Sequence, residues 1–390
     1  MREGESSQRL ADLGRALAAY FVTRGALALF VWLTGQHYAA ISRGEDRAFF
    51  PDNLLANALF QWDAFQYANL AEKGYYQGAG YDLTIPYFPG FPLAAVAFGK
   101  LVGSSLWGGI VVNHLASIGG AFTIARLCRR LGIGERDADG NAIARETTLF
   151  WLASPLTLFY CVYLSEALFA FESALVLWAV AAGAWPVALI AGICATGTRN
   201  AGLIVTLAAA VLAWERRREV KVGWLGWGCI ALMPLGLAGL IAYQHVTLGD
   251  GFAWVKTQIL WDRYLVLPWK TLVDDWRGDP GLSHQTLNTH AMYRYQELLA
   301  LAVVVPLFFL RKRLNLPWAL LVLGVLEWIL PLSSHSIMSS ARYQAANLYF
   351  ALAIPAFLVP RPLARGLVWM LFGMVLAWYA STFPYGVWAS

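Results

Sequence analysis

Apolar residues run through this chain in long blocks parted by short polar stretches. The blocks fall near 16–40, 106–126, 148–163, 167–183, 186–199, 201–213, 224–247, 295–310, 317–332, 343–360 and 366–383. A helix crosses the hydrocarbon of a bilayer in about 20 residues. The pattern therefore predicts an all-α polytopic membrane protein with about eleven transmembrane helices. One further apolar stretch, 89–103, is short and carries Pro89 and Pro92 at its start, which suits an extended lead-in to a helix.

Basic residues decide how the blocks thread. They gather at Arg2, Arg9 and Arg15, at Arg126, Arg129 and Arg130, at Arg216–Arg218 with Lys221, at Arg311–Arg313, and at Arg361 with Arg365. Lys and Arg favour cytoplasmic loops. If 89–103 crossed the membrane, Arg129 and Arg130 would share a side with Asp63. Laid along the surface as an interfacial juxtamembrane helix, it leaves every basic cluster inside. The N-terminus is then cytoplasmic and the C-terminus outside. The N-terminal stretch resembles a signal peptide, but the spans behind it make it a retained helix. Loops 41–105 and 248–294, the turn at Ser165–Glu166, the junction Arg199–Asn200 and the turn 333–342 gather on the outer face. The whole chain, 1–390, reads as one membrane domain with loops 41–105 and 248–294 capping an active site.

Composition agrees. The chain is 58% hydrophobic and 14% charged, with a mean hydropathy of +0.52, whereas soluble domains average about 25% charged. The net charge of +5 belongs to the short basic loops and is no signal for nucleic acid. Of the four cysteines, Cys161, Cys194 and Cys229 lie in apolar blocks and Cys128 in an Arg-rich stretch read as a loop. Neither a disulfide framework nor a zinc site is indicated. No phosphate-binding or dinucleotide glycine pattern is present, and no His, Cys or carboxylate set has metal-ligand spacing. Neither a metal nor a cofactor is expected. A donor that is not a nucleotide would be an activated lipid.

Candidate chemistry concentrates near the outer face. Asp63 stands between Trp62 and the aromatics that follow, and a carboxylate partly withdrawn from water suits general-base work. It also precedes AFQYANLAEKGY, an amphipathic helix closed by Gly74, and the residues alone favour an N-cap over a base. Glu166 in YLSEALFAF is either a working carboxylate or a first-turn acid behind a capping Ser165. Arg199 and Arg342 are membrane-proximal cations suited to phosphate; Arg199 could instead snorkel or pair with Glu166. His335 could bond a phosphate or sugar hydroxyl. Loop 248–294 brings Lys256, Asp262, Arg263, His284 and His290, with its charges in balance.

Three segments together resemble the GPI mannosyltransferase II (PIG-V) family, within the polyprenyl-phosphate-sugar-dependent GT-C glycosyltransferases. They are WDAFQYANLAEKGY with YFPGFPL, SPLTLFYCVYLSEALFAF, and GTRNAGLIV, followed by a closing SSARYQAANLYFALAIP. The matches run in family order from residue 60 to about 350. Asn200 and Ala201 stand where that family usually has Ser and Asn.

The resemblance implies a GT-C fold, a lipid-phosphate sugar donor and a first-loop catalytic Asp at Asp63. On this reading the chain is a hexosyltransferase of the mannosyltransferase type, moving mannose with inversion from polyprenyl- or dolichyl-phosphate-mannose to a glycolipid or glycan acceptor. Asp63 is the base and Glu166 a second catalytic carboxylate. Arg342, Arg199 and Lys256 hold the donor phosphate, and Trp62, Tyr67, His335, Asn200 and Tyr343 touch substrate. The expected partners are these lipids and the bilayer, and the expected state is a monomer. Ala-, Gly- and Trp-rich spans suggest a bacterial plasma membrane, or the ER lumen if the chain is eukaryotic. A lipid-linked glycan flippase, or the same enzyme with glucose or a pentose, are the alternatives.

Overall fold

The computed structural model describes residues 2–38, 49–50, 53–75, 83–135, 138–261, 263–277, 305–306, 308–336 and 339–383. The chain opens with α1 (Arg2–Tyr38), α2 (Leu54–Ala58), α3 (Ala64–Lys73), α4 (Gly90–Val102), α5 (Ser105–Leu131) and α6 (Gly140–Ala153). It continues through α7 (Glu166–Ala182), α8 (Trp185–Thr198), α9 (Gly202–Glu215), α10 (Trp224–Leu232) and α11 (Leu235–Leu248). Then come α12 (Ala253–Lys256), α13 (Pro268–Arg277), α14 (Trp318–Leu332), α15 (Ser340–Ala345), α16 (Leu348–Leu358) and α17 (Pro362–Thr382). Among the described residues there is no β-strand. The 295–310 block lies largely outside them.

Four segments are long and apolar enough to cross a membrane: Leu13–Thr34, Ser105–Leu131, Trp224–Leu248 and Pro362–Thr382. α8, with 14 residues, reaches only about 21 Å at 1.5 Å per residue, against roughly 30 Å of hydrocarbon. Such short helices survive because neighbours sheathe their ends. α7 packs against α5, α8 and α9, through a face rich in alanine that includes Ala167, Ala170 and Ala174.

Two predicted blocks are broken. Residues 148–163 are not one helix: α6 stops at Ala153, Ser154 is extended (ψ 160°), and a 3-10 turn spans Pro155–Tyr160. A residue before proline is pushed out of the helical region, and Pro155 has no N–H to continue the ladder. Asn113 of α5 then catches the freed chain, donating to the carbonyls of Val162 (2.5 Å) and Leu164 (2.8 Å). Block 343–360 divides at Asn347. Its side chain caps α16 by accepting from Tyr349 N–H at 3.1 Å, and donates to Gly324 of α14 at 3.1 Å.

The basic clusters meet at one end of the bundle. Glu135 bonds Arg361 at 2.7 Å and Arg313 at 3.1 Å, and the Arg361 guanidinium holds its carboxyl below the ordinary range. Glu215 accepts the first N–H groups of α14, from Trp318 (2.8 Å) and Ala319 (3.1 Å), which a helix start otherwise leaves unmet. Arg130 donates to the Ala181 carbonyl at the end of α7. The stretch around Cys128 proves to be helix and not loop: α5 runs on to Leu131, closes at Gly132 (φ 62°), and buries the thiol.

α4 stays in the opposite half. A Cβ on Gly90 would lie 2.4 Å from Thr198 Oγ1, and one on Gly99 would lie 2.9 Å from Ser105, so both ends of α4 abut residues far from Glu135. The parity argument leads us to expect that cysteines placed at Lys312 and Arg365 are labelled by an impermeant reagent from one face. Cysteines at Lys100 and Asn200 should be labelled from the other. Labelling of Lys100→Cys from the Lys312 face would mean that α4 crosses.

α8 and α11 meet backbone to backbone at Gly236, where a Cβ would sit 2.0 Å from Ile193 O, and Thr196 Oγ1 donates to Met233 O across the same seam at 2.7 Å. Small residues permit such approaches between apolar helices. Gly236→Ala should cost about 1–3 kcal/mol, seen as a lowered melting temperature in detergent. Gly239→Ala, whose Cβ meets nothing within 4 Å, is the control and should leave it unchanged.

Candidate functional site

Four charged side chains from separate stretches converge at the end opposite Glu135. Asp63 precedes α3, Glu166 begins α7, Arg199 follows α8, and Arg342 lies on α15. Arg342 uses Nη1 on Asp63 Oδ2 and Nε on Glu166 Oε1, both at 2.5 Å. Arg199 Nη1 reaches the same Glu166 oxygen at 2.6 Å. Glu166 is sealed at 0% exposure, Arg342 is at 4% and Arg199 at 9%, while Asp63 keeps 21%. One carboxylate of the four charges faces outward.

Neither acid is a helix cap. Asp63 sits at the N-cap position of α3, but with helical backbone (φ −64°, ψ −11°) and no capping bond; a capping residue is normally extended. Its carboxylate goes to Arg342 instead. Ser165, at the start of α7, also makes no cap bond. Its Oγ lies 2.8 Å from the Tyr67 hydroxyl and accepts from Arg199 Nη1 at 3.2 Å. The Arg199–Glu166 pairing weighed from the sequence is present.

The strands of chain that deliver these groups are strained. Of the five described non-glycine residues with positive φ, three belong to the site: Trp62 (57°), His335 (63°) and Ser339 (68°). A bulky side chain seldom adopts this region, and such strain persists where surrounding contacts enforce it. Trp62 turns the chain so that Asp63 points at Arg342. His335 and Ser339 do the same for the turn before Arg342.

Tyrosines fill the space between the charges. Burial pushes the Tyr67 hydroxyl up to about 12 against the pull of Arg199, so it stays neutral. Burial, followed by the Asp63 carboxylate, raises Tyr87 well above its ordinary value; its ring stands 4.9 Å from that of Tyr67. Tyr343 lies between Arg199, 5.0 Å from its ring, and Arg263, at 5.6 Å. Burial works to raise its phenol, yet Arg263, Arg199 and Arg342 together hold it below the ordinary value. Arg263 also donates to Ser334 Oγ at 2.8 Å, and Tyr264 stacks on His335 at 4.3 Å.

The structure thus brings together Asp63, Glu166, Arg199, Arg342, Tyr67 and Tyr343, with Trp62 exposed at the rim and His335 beneath Tyr264. Asn200 is half-buried at the α8–α9 junction. Lys256 stands apart from these pairs, 70% exposed on α12 and bonded to Asp250 at 2.5 Å. Asp262, His284 and His290 lie outside the described residues. Among the described residues no group of three His, Cys, Asp or Glu side chains could hold a metal ion. Tyr87 and Arg263 escaped the sequence reading as site residues. Tyr87 stands in the quoted YFPGFPL, next to the signal, but Arg263 is 80 residues from Tyr343 and no spacing links them.

Fold and site define a helical membrane protein with a buried four-charge cluster at one end of its bundle. No protein-family model matches the chain, and no characterised protein matches it by sequence. Among solved structures it is similar to the Archaeoglobus fulgidus oligosaccharyltransferase tethered with an acceptor peptide. That match has a TM-score of 0.43 and 12% identity and covers 95% of this chain and 55% of that one. It is also similar to the archaeal oligosaccharyltransferase AglB from Archaeoglobus fulgidus in complex with an inhibitory peptide and a dolichol-phosphate, with a TM-score of 0.41 and 12% identity, covering 95% and 56%. The chain spans about half the length of the structures it matches. A likeness of this depth carries no argument about activity.

Removing one member of a sealed ion pair leaves a charge uncompensated, at a cost of about 3–5 kcal/mol. Glu166→Ala should therefore lower the melting temperature sharply. Asp63→Asn, at the more open edge and with an amide oxygen that can still accept from Arg342, should cost less than Glu166→Ala. Equal losses in a thermal unfolding assay would contradict the distinction between an inner and an outer carboxylate.

Proposed function

We propose that this chain is an inverting membrane glycosyltransferase of the GT-C type, moving mannose from a polyprenyl- or dolichyl-phosphate donor to a glycolipid or glycan acceptor. The observation that carries the proposal is the one open carboxylate in the cluster. Asp63 is fixed by Arg342, flanked by Trp62 and Tyr87, and is more exposed than the other three charges. A group so held can meet an acceptor hydroxyl without first reorganising, which is what a general base requires.

In the proposed step the acceptor oxygen attacks the anomeric carbon while its proton passes to Asp63. The bond from that carbon to the phosphate oxygen breaks, and the lipid phosphate leaves with the electron pair. Displacement in one step inverts the centre. Arg342, and Arg263 across Tyr343 from Arg199, supply guanidiniums for the leaving phosphate, with Lys256 further out on α12. Glu166 is sealed, so its part is to position Arg199 and Arg342. The expected count of about eleven spans, a single domain with loops 41–105 and 248–294 over the site, and a site on the outer face belong to the same proposal.

A specific observation favours a second reading. Glu172 of α7, which accepts from Thr198 at 3.2 Å, and Glu327 of α14 are buried within the helices, and Arg24 of α1 donates to Thr157 at 2.8 Å. Charges spread through the depth of several helices are what a lipid-linked glycan transporter uses. Flux of a labelled lipid-linked sugar across vesicles, without transfer to any acceptor, would favour it.

Asp63→Asn keeps the size of the side chain and removes the basic oxygen. Single-turnover transfer from a labelled polyprenyl-phosphate mannose should fall by about 10²–10⁴-fold, with donor binding retained. Transfer within a few-fold of the parent would remove Asp63 as the base.

A further inference from the structure

The segment between α11 and the end of α13 carries an apolar surface that the site does not use. Phe252, Ile259 and Leu265 are 56%, 58% and 89% exposed, and Trp269 and Trp276 of α13 are 63% and 66% exposed. Successive residues of a helix turn by about 100°, which sorts α13 into three arcs. Leu272, Trp276, Trp269 and Val273 share one apolar arc. Arg277, Lys270 and Asp274 occupy the next, with Lys270 paired to Asp274. Thr271 lies on the far side and is buried.

The anchoring of this segment sets its depth. Thr271 Oγ1 donates to Leu332 O at 2.5 Å, and Val266 N–H donates to Ser333 O at 3.0 Å. Both acceptors lie at the end of α14, an apolar helix. The other end of the segment leaves the Trp224–Leu248 span, whose last turn shows Val246 at 82% exposure. The segment therefore runs from the end of one apolar span to the end of another, at the level where hydrocarbon gives way to headgroups. Its apolar arc lies on the side of α13 opposite Thr271, away from α14, and like Val246 at the end of the other span it is exposed. Tryptophans favour this depth because their rings are amphipathic, and a helix with one apolar and one charged arc lies in the plane of the interface.

We propose that residues 252–277 form a lipid-docked ledge, with Trp269, Leu272, Val273 and Trp276 inserted at the headgroup–acyl boundary of the bilayer. Lys270 and Arg277 face the water, with Asp274 held beneath Lys270. Because Arg263 and Tyr264 of the same segment hold Tyr343 and His335, the ledge also fixes the four-charge cluster at headgroup depth. The proposal concerns the surface beside the site and stands independently of the reaction assigned to it.

The test uses the full chain in phosphatidylcholine–phosphatidylglycerol vesicles doped with phospholipid bearing a diazirine either near the headgroup or near the acyl terminus. Adducts are mapped by peptide mass spectrometry, with hydroxyl-radical footprinting as the aqueous counterpart. The shallow probe should label 263–277 within about threefold of its yield on the exposed flank of α17 around Leu363 and Leu367, and the deep probe should label it at least about tenfold less. The double variant Trp269→Ser, Trp276→Ser should lose most of the shallow labelling while keeping its melting temperature, since both side chains are exposed. Strong hydroxyl-radical oxidation of Trp269 and Trp276 with no lipid adduct overturns the proposal in favour of a water-facing arc. Protection from both reagents overturns it too, because other protein then covers the arc.

Discussion

Arg342 holds the structure to its purpose. One guanidinium bridges Asp63, from the first connection, and Glu166, from the centre of the bundle, and Arg199 closes on the same Glu166 oxygen. Moving charges out of water is costly, and only close pairing repays that cost. The positions of α3, α7, α8 and α15 relative to one another are therefore tied through a few atoms. The short helices, the break after Ala153 and the strained turns at Trp62 and His335 all serve that placement. Asn113, gripping two carbonyls just before Glu166, keeps the carboxylate from slipping along α7.

The two ends of the molecule follow different electrostatic rules. Around Glu135 the pairs are open to solvent and join loops, so they gather the basic clusters loosely and contribute little to stability singly. At the far end the charges are enclosed and mutually dependent. α7 separates them by about 25 Å, from its 17 residues at 1.5 Å each. The open pairs lie at one end of the bundle and the enclosed ones at the other.

Much of this was legible in the chain. Periodicity and hydropathy gave the apolar helices, and the basic residues Arg130, Arg313 and Arg361 lie toward one end of the bundle. Asp63, Glu166, Arg199 and Arg342 each stand out in the sequence, because a charge in an apolar setting needs a partner or a task. What stayed hidden was which partner. A capping motif and an ion pair place the same residue at the same position, and nothing local distinguishes Asp63 as a cap from Asp63 as the mate of a residue 279 positions on. Arg263 was named only as a charge of loop 248–294, and its tertiary link to Tyr343 was hidden for the same reason. The breaks at Ser154 and Asn347 were marked by Pro155 and by an amide in an apolar block, and hydropathy averages pass over both.

That separation of 279 residues bears on how the protein is made. Chains are synthesised from the N-terminus, and contacts distant in sequence close late. Glu166 meets Arg199 only 33 residues later, so its charge is matched while the chain is still growing. The cation that matches Asp63 comes only with α15, 279 residues on. Until α15 is made, the carboxylate of the first connection has no guanidinium to pair with. α15 completes the cluster, so a chain truncated before Arg342 would insert with its central pair formed and its outer carboxylate unmatched by a cation.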